Sequence, residues 1–426
     1  MYARSRAWLE ELGDQFWLRP ALVVTLCILL AVVAVQVTSV PGLDEEIAQA
    51  WGYSGGAEGA RALLGAIASS SIGVAGTVFS ITIAALSLAS GQMGPRLLRN
   101  FVRDARNQLA LGIFIGTFAY SLVVLRTVRT VEEQPFVPHL AVSGAILLAI
   151  LCTATLVWFV HHIAASINVE NVISSVHDDL NHAVTARTLD EAEPEADEMP
   201  GGVPVRIGGN RYLLAVDADG LANWAEKHGV VVSLTVRPGD YVPKGISVAR
   251  VHPPQDDAEQ ALQNALTFGA RPVALQDIEF YIRQLTEIAV RALSPGTNDP
   301  FTAASVVERL GDTLCQIAGR HLPTGMVRRG DTVSLLQRVS DYQGICDAMF
   351  DIIRQNASGS AFVLIRLLEV LTMVCEVEDE PARRQCIREH AELALEEGLR
   401  SLQDRDARAD LEERWAMFNQ QIGASA

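Results

Sequence analysis

Cysteine is scarce in this sequence and is never arranged as a metal-binding or redox motif. Six cysteines occur among 426 residues, none stands in a CxxC pair, and no histidine completes a metal-ligand pattern with them. Two lie in long apolar runs and four in amphipathic helical stretches, which predicts buried, reduced thiols and a cytosolic soluble half. The six are Cys27, Cys152, Cys315, Cys346, Cys375 and Cys386. We therefore expect no metal site.

The motifs that mark the common enzyme classes are also missing. The sequence has no GxxxxGK[ST] phosphate loop, no HExxH zinc motif, no GxSxG nucleophile turn and no GxGxxG after a predicted strand. Carboxylates are plentiful, but none pairs with a histidine in a recognisable catalytic order. We expect no catalytic residues and no cofactor, and hence a protein that is not an enzyme.

Positive charge is too thinly spread for a nucleic-acid partner. Residues 1–169 hold ten arginines and ten acidic residues, so this part of the chain is neutral. Of the 34 basic and 50 acidic residues in the chain, 24 and 40 remain for residues 170–426, which therefore carry the whole net charge of −16. A nucleic-acid-binding surface needs a basic face, and we expect none here.

Long apolar runs dominate the first part of the chain. Pro20 to Val40 carries no charge over about twenty residues, enough to cross about 30 Å of hydrocarbon. It is too long for a signal peptide, and Val40-Pro41-Gly42 makes a poor cleavage site. Three further apolar runs lie at about 62–90, 108–125 and 137–163. The sequence thus predicts an α-helical membrane domain of four spans over residues 1–169.

Arginine is concentrated on one side of these spans. Three arginines precede the first span and four lie between the second and the third, while the loop between the first and the second is acidic. These seven are Arg4, Arg6, Arg19, Arg96, Arg99, Arg103 and Arg106. The positive-inside rule then places both termini in the cytoplasm of a multi-pass bacterial inner-membrane protein.

The second span is unusually rich in small and hydroxyl-bearing residues. Six of them recur at steps of three and four and so share one helical face: Ser69, Gly73, Thr77, Ser80, Ala84 and Ser87. Such a face lets helices approach closely, within one chain or between copies. It also suits a water-lined conduction path. Gly112 and Gly116 in the third span form a GxxxG pair that predicts close helix packing.

Beyond the second span, a polar segment is predicted to couple the membrane to the soluble part. Gln92, Arg96, Arg99 and Arg103 follow the span directly, where they meet lipid headgroups or the acidic domain.

An extended helix and an acidic linker are predicted to join the two parts of the chain. Asn168 to Val184 reads as a continuation of the fourth helix, and the charged Pro- and Gly-containing stretch after it sets a boundary region over residues 170–202. Residues 203–254 alternate in short β-branched runs, which predicts a small β-rich subdomain with a helix at Gly220–His228. The turn at Arg237–Gly245 is similar to that of barrel-sandwich folds.

The remainder, residues 255–426, is predicted to be helical. A helix at about 276–293 is followed by a break at Ser294–Pro300, where Asp299 is placed as the N-cap and Pro300 as the first helical residue. Later helices are predicted at about 332–356, 360–377, 381–402 and 407–418.

An anion site is one interpretation of this break and the turn before it. It would use Arg271, Arg283, Arg291, Asn298 and Asp299 to hold a small anionic ligand. The alternative is a tight helical hairpin in which these residues cap helix ends and pair with neighbouring carboxylates.

Two long motifs resemble those of a known family. Phe79–Phe101, which contains ALSLASGQMGPRLLRNF, leads on to Leu111–Phe118, and the second motif is Gln276–Ala303. Together with the turn RPGD at Arg237–Asp240, they are similar to the predicted bacterial membrane proteins of domain-of-unknown-function family 2254. The resemblance implies an inner-membrane location and brings no activity with it. Thr297 departs from the Ile or Val expected there.

Three functions remain open at this point. The preferred hypothesis is a homo-oligomeric channel or pore-like protein, lined by the second span and gated by the cytoplasmic domain. The second is a membrane-anchored sensor or scaffold that binds a ligand or partner near Arg271, Arg291 and Asn298. The third is a membrane enzyme that acts on lipid or envelope precursors.

Overall fold

The computed structural model describes most of the chain in two compact units. The described residues are 16–38, 53–93, 104–129, 136–194, 201–207, 209–270, 278–330 and 332–424. The N-terminal unit ends at Asn168 and the C-terminal unit begins at Val169.

Four long apolar helices make up the described part of the N-terminal unit. They are α1 Leu18–Thr38, α2 Ala57–Met93, α3 Ala105–Thr127 and α4 His139–Ile167. Each is long and apolar enough to cross a membrane, which makes all four candidate spans and confirms four apolar helices at the predicted positions to within a few residues at each end. Lipid tails offer backbone N–H and C=O groups no hydrogen-bond partner. An uncharged run that crosses a membrane therefore forms a helix, in which these groups bond to one another.

The third helix lies at the centre of this unit. Of its most apolar stretch 56% is buried, against 28% or less in the other three helices, and it contacts all of them. Its GxxxG pair faces α1. A Cβ atom added to Gly116 would lie 2.7 Å from Cys27 Sγ, and one on Gly112 would lie 3.0 Å from Val23 Cβ. These glycines therefore serve close packing inside one chain.

The C-terminal unit consists mainly of helices. Within the described residues these are α5 Val169–Thr185, α6 Ala218–His228, α7 Ala258–Ala265, α8 Ile278–Ala292, α9 Pro300–Ile317, α10 Tyr342–Asn356, α11 Ala361–Val377, α12 Pro381–Ser401 and α13 Arg405–Ala424. The helix predicted at Gly220–His228 is confirmed, as are those near 360–377, 381–402 and 407–418. The prediction that residues 168–184 continue α4 without a break is wrong at one residue. Asn168 is extended (φ −69°, ψ 119°) and separates α4 from α5. Asparagine favours helix ends over interiors because its side chain competes for backbone hydrogen bonds.

Two small sheets complete the C-terminal unit. The strands are β1 Val203–Arg206, β2 Arg211–Val216, β3 Val231–Leu234, β4 Tyr241–Val242, β5 Ser247–His252, β6 Leu266–Gly269, β7 Met326–Arg329 and β8 Thr332–Leu336. One sheet has the order β1-β5-β3-β8-β7 and the other β4-β2-β6. Only β3 and β8 pair in parallel among the described strands. The predicted mixture of helices with a small β-rich part is thus confirmed, and its closer likeness to a barrel-sandwich stays a prediction.

The helix predicted from residue 332 is wrong in its first ten residues. Thr332–Leu336 is β8, which places Val232 opposite Leu335 in the register with β3, and the helix begins only at Tyr342. Leu335 is fully buried, so this short run belongs to the sheet core. A five-residue apolar run fits a strand and a helix equally well by periodicity, and here a distant strand decides.

All six cysteines carry free thiols. Five are buried and Cys315 is half-buried, which confirms the prediction of buried thiols for the five.

Candidate functional site

The small residues predicted to share a face of α2 lie together on its outer side. Ser69, Gly73, Thr77, Ser80, Ala84 and Ser87 are all exposed in the single chain. The opposite side of the helix is buried against α3 and α4 and includes Ala75, Val78 and Ala85. At 3.6 residues per turn the two sides are nearly opposite. The helices that the structure describes therefore do not pack on this face.

Open space lies in front of the glycines of this face. A Cβ atom added to Gly73 or Gly76 would meet no atom of the described residues within 4 Å. The GxxxG pair in α3 shows the reverse, with side chains of α1 in direct contact. The small face of α2 thus has the shape needed to receive another helix, and none of the described helices of its unit lies there.

Hydroxyl groups on this face are bonded to their own helix. Thr77 Oγ1 donates to the carbonyl oxygen of Gly73 at 3.2 Å, and Ser80 Oγ donates to that of Gly76 at 2.9 Å. Each hydroxyl uses its one proton in these bonds, so its oxygen lone pairs can still accept a hydrogen bond from water or from another helix. Large apolar side chains flank the face, among them Ile72 and Phe79 on one side and Ile81 on the other.

The predicted coupling segment lies almost wholly outside the described residues. Arg96, Arg99 and Arg103 fall there, and Gln92 is placed only as part of the last turn of α2, without its side chain. Arg271 of the predicted anion site also falls outside them. The predicted roles of these residues stay predictions.

The turn between α8 and α9 uses Asp299 and Asn298 for its own geometry. Asp299 caps α9, since its Oδ1 accepts from the backbone N–H groups of Phe301 (3.1 Å) and Thr302 (3.2 Å). Its Oδ2 accepts from the Thr302 hydroxyl at 2.6 Å. That hydroxyl, followed by the two backbone donors, lowers the pKa of the Asp299 carboxyl. Asn298 adopts the left-handed backbone (φ 49°) that asparagine tolerates well. The predicted cap at Asp299–Pro300 is confirmed.

The two described arginines of the predicted anion site pair along α8. Arg283 Nη1 lies 2.9 Å from Glu279 Oε2, and Arg291 Nη2 lies 3.6 Å from Glu287 Oε1, each pair one helical turn apart. This is the arrangement that the hairpin interpretation expects. Both guanidinium groups therefore belong to the same helix, α8, and lie about two turns apart.

A hydrogen-bonded network that the sequence did not indicate surrounds Glu279. Arg237 meets its carboxylate with two nitrogens, at 2.5 and 2.9 Å, and the Ser340 hydroxyl donates to it at 2.6 Å. Glu279 is only 5% exposed. Asp240 accepts from the backbone N–H of Arg237 at 3.0 Å and closes the RPGD turn. The network joins this turn to α8 and to the loop before α10.

Beside the network lies an open cleft of about 510 Å³ in the C-terminal unit. Its polar lining includes Arg187, Arg237 and Arg338, opposed by Glu193. Its apolar lining includes Ile278 and Met326, among others. Among the described lining residues, three arginines stand against one carboxylate, and Arg237 is in addition paired with buried Glu279. We call this cleft the basic cleft. The sequence does not predict that these arginines lie together, because they come from three separate segments with no regular spacing.

Comparison with known proteins places the chain in a family. Residues 13–373 match the family described as predicted membrane protein, domain-of-unknown-function family 2254. This chain belongs to that family. An uncharacterised protein of Mycobacterium tuberculosis is 31% identical over 434 residues, which cover 96% of this chain and 81% of the relative. One of Mycobacterium bovis matches to the same extent. No solved structure matches the chain.

The predicted membership in family 2254 is thereby confirmed. The matched range of the family includes the small face of α2, the RPGD turn and the α8–α9 segment. Both candidate sites, the outer face of α2 and the basic cleft, therefore lie within the part that this member shares with its family.

Proposed function

We propose that this family member is a homo-oligomeric channel or pore-like protein of the bacterial inner membrane, regulated by its C-terminal unit. The observation that carries the proposal is the unpacked outer face of α2. The arginine bias around the spans supports an orientation with both termini in the cytoplasm.

The small side chains of this face favour self-association in lipid. A face of glycine, serine and threonine buries little side-chain area against lipid tails, and it packs closely against a second small-residue helix. Copies of α2 arranged around an axis would place Thr77 and Ser80 toward that axis. Their oxygens would then solvate a permeating ion or small solute. The large flanking side chains, such as Ile72 and Ile81, would face lipid or the neighbouring copy.

A bulky residue on the small face tests the assembly. Gly73→Val and Gly76→Val have room in the single chain, so we expect them to fold, and to raise the dissociation constant of the oligomer about tenfold or more by overpacking the contact. Ala154→Val, at an exposed position of α4, is the matched control and should assemble as the wild type does. Mass photometry in lipid nanodiscs measures the state. A monomeric wild type, or unchanged assembly in both glycine variants, contradicts the proposal.

Conductance tests the path itself. Purified wild-type protein in planar bilayers should pass current under voltage or membrane tension, and Ser80→Leu should reduce it because it removes a solvating hydroxyl and narrows the path. Leu88→Val, on the flank of the same helix, serves as the control. A bilayer that contains wild-type oligomers and passes neither ions nor small solutes counts against a channel.

A second candidate, a membrane-anchored sensor or scaffold, is favoured by the basic cleft. In this function the C-terminal unit would bind a small anion through Arg187, Arg237 and Arg338, and the spans would serve as an anchor. Isothermal titration of the full chain with nucleotides and phospholipid headgroups should return heat that Arg338→Ala weakens. Arg250→Ala, exposed on β5, is the control. Absence of heat for every anion counts against the cleft as a ligand site. We propose no enzymatic activity.

A further inference from the structure

The segment that follows α5, residues 187–193, lies as a strap against the loop between α9 and β7. Leu189 and His321 exchange two backbone hydrogen bonds, of 2.7 and 2.8 Å, in an isolated antiparallel bridge. Arg320 Nε donates to the Thr188 hydroxyl oxygen at 2.6 Å, and Arg320 Nη2 donates to the Thr188 carbonyl oxygen at 3.2 Å. The start of the acidic linker is therefore fastened to the body of the C-terminal unit.

The strap ends at the basic cleft and places a carboxylate there. Glu193 Oε2 accepts two hydrogen bonds of 2.8 Å, one from the backbone N–H of Thr324 and one from the Thr324 hydroxyl group. Glu193 and Arg187, at the two ends of the strap, both line the cleft. A backbone N–H, a hydroxyl group and guanidinium groups are the donors that an oxyanion needs. Here the chain's own carboxylate takes the first two of them.

Glu193 also decides the charge balance of the cleft. The described lining residues include three arginines, Arg187, Arg237 and Arg338, and one carboxylate, that of Glu193. Buried Glu279 pairs with Arg237 as a second carboxylate. Three positive charges against two negative ones leave a surplus of one positive charge, and this surplus would be two without the charge of Glu193. An incoming anion thus meets Glu193 both as a competitor for donors and as a repelling charge.

We propose that Glu193 is an internal competitor for the basic cleft, held on the donors of Thr324 by the strap and displaced when a phosphate group binds. The proposal rests on the second candidate function above, in which this cleft binds a small anion. The strap follows the last turn of α5, and α5 follows α4 after the single extended residue Asn168. Release of the strap therefore acts on the end of the helix that continues the chain from the last candidate span.

A phosphate group suits this exchange better than a free carboxylate does. The tether of the strap gives the Glu193 carboxylate a high effective concentration at Thr324, so a free carboxylate with the same charge competes poorly. A phosphate monoester carries about −1.5 to −2 charges at neutral pH and three strong acceptor oxygens. It therefore engages the two donors of Thr324 and a guanidinium group at the same time.

Isothermal titration of the full-length protein in detergent tests the proposal with two probes, inorganic phosphate for a free phosphate and glycerol 3-phosphate for a lipid headgroup. Glu193→Gln keeps an oxygen that accepts from Thr324 and removes the charge, so we expect it to bind the preferred probe about tenfold more tightly than the wild type. The probe that binds more tightly identifies the source of the phosphate. The matched control is Glu191→Gln, the same charge change at an exposed position of the strap, which should leave the affinity within about twofold.

Hydrogen exchange provides a second measurement, and its first arm needs no ligand. Glu193→Ala removes both bonds to Thr324, so the strap should separate from the loop more often and the amides of Leu189 and His321 should exchange about threefold faster or more. Saturating phosphate should speed the same two amides in the wild type, because it displaces the carboxylate that holds the end of the strap. Glu191→Ala is the control and should exchange as the wild type does.

The outcomes separate this proposal from the function on which it rests. Equal affinity of the wild type and Glu193→Gln for phosphate overturns the competition and leaves the cleft as an anion site. Equal tightening in Glu191→Gln also overturns it, because the effect then comes from overall charge. Absence of binding in every protein, Glu193→Gln included, overturns both the competition and the anion site. Tighter binding in Glu193→Gln alone, lost again when Arg338→Ala is added, is the expected result and assigns the binding to the basic cleft.

Discussion

Glu279 holds several parts of the C-terminal unit together through one carboxylate. It accepts hydrogen bonds from Arg237, Arg283 and Ser340, which belong to the RPGD turn, to α8 and to the loop before α10. A buried carboxylate is tolerated only when it is paired and hydrogen-bonded, and here both oxygens are used. The RPGD turn keeps its place beside the cleft because of this carboxylate.

Glu279→Gln should destabilise the C-terminal unit by about 1–3 kcal/mol. The substitution replaces the buried carboxylate that Arg237 and Arg283 both contact with a neutral amide, so two charge-assisted hydrogen bonds are weakened. Hydrogen exchange of the full chain at the RPGD turn and α8 measures the effect. The control is Glu287→Gln, which removes a more exposed pair with Arg291 and should cost less than about 0.5 kcal/mol. Equal effects of the two substitutions would contradict a special role for Glu279.

His177 makes the C-terminal unit sensitive to mild acid. Its ring is buried between α5 and α9, with Nε2 3.0 Å from Asp312 Oδ2. Burial lowers the pKa of His177, against the attraction of Asp312. Its pKa in the folded chain is thus below the unfolded value of about 6.5. Its contribution to stability is complete above the unfolded pKa and is lost as the pH falls through the folded one.

The free energy of unfolding should therefore decline as the pH falls below about 6.5, the pKa of histidine in the unfolded chain, and should decline less in His177→Gln. Chemical denaturation of the full chain at several pH values, followed by a probe in the C-terminal unit, measures the slope. His252→Gln, an exposed histidine at the end of β5, should keep the wild-type slope. If the free energy of unfolding of His177→Gln falls with pH as steeply as that of the wild type, the buried ring does not set this slope.

At the scale of elements, the same residue type serves opposite purposes in α2 and α3. Gly112 and Gly116 of α3 are covered by α1, whereas Gly73 and Gly76 of α2 face open space. Both patterns look alike in the sequence, because spacing shows that small residues share a face and does not show what covers it. Only the contacts within the folded unit show that α1 covers the small face of α3 and that the described residues leave the small face of α2 open.

Gly116→Val should destabilise the N-terminal unit by about 1–3 kcal/mol, because the new side chain meets Cys27 and the backbone of α1. The measurement is thermal unfolding in detergent micelles, followed by the loss of the α1–α3 contact. Ala154→Val, at an exposed position of α4 outside the proposed contact between copies, is the control. Equal melting temperatures for Gly116→Val and the wild type would be the contrary result.

Strand β8 marks the limit of what local pattern reveals about an element. Residues 332–336 contain Thr, Val and buried Leu in a run short enough for a helix or a strand. Pairing with β3, about one hundred residues earlier, selects the strand. The cap at Asp299–Pro300 needed no such partner, and its position followed from the residue types alone.

At the scale of the whole molecule, the chain separates apolar and acidic parts. The four candidate spans lie in residues before Asn168, and the excess negative charge lies after them. From the positive-inside rule we expect the arginines near the spans to decide which side of the membrane receives the acidic part.

Topology reporters test this orientation. A fluorescent protein fused after Ala426 should fluoresce, and alkaline phosphatase at the same point should be inactive, because the C-terminus is expected in the cytoplasm. Phosphatase fused after residue 50, in the acidic loop between α1 and α2, should be active and provides the internal control. Active phosphatase at Ala426 would reverse the orientation.

The sequence by itself determined the four spans, the segregation of charge, the cap of α9 and most helices of the C-terminal unit. Each of these depends on residues within a few turns of one another, so composition and periodicity suffice. Only the tertiary structure decided the unpacked face of α2, the network around Glu279 and the basic cleft. These depend on residues far apart in the chain, such as Arg237 and Ser340, which are 103 positions apart. Their meeting is set by how whole helices and strands pack, which no local pattern encodes.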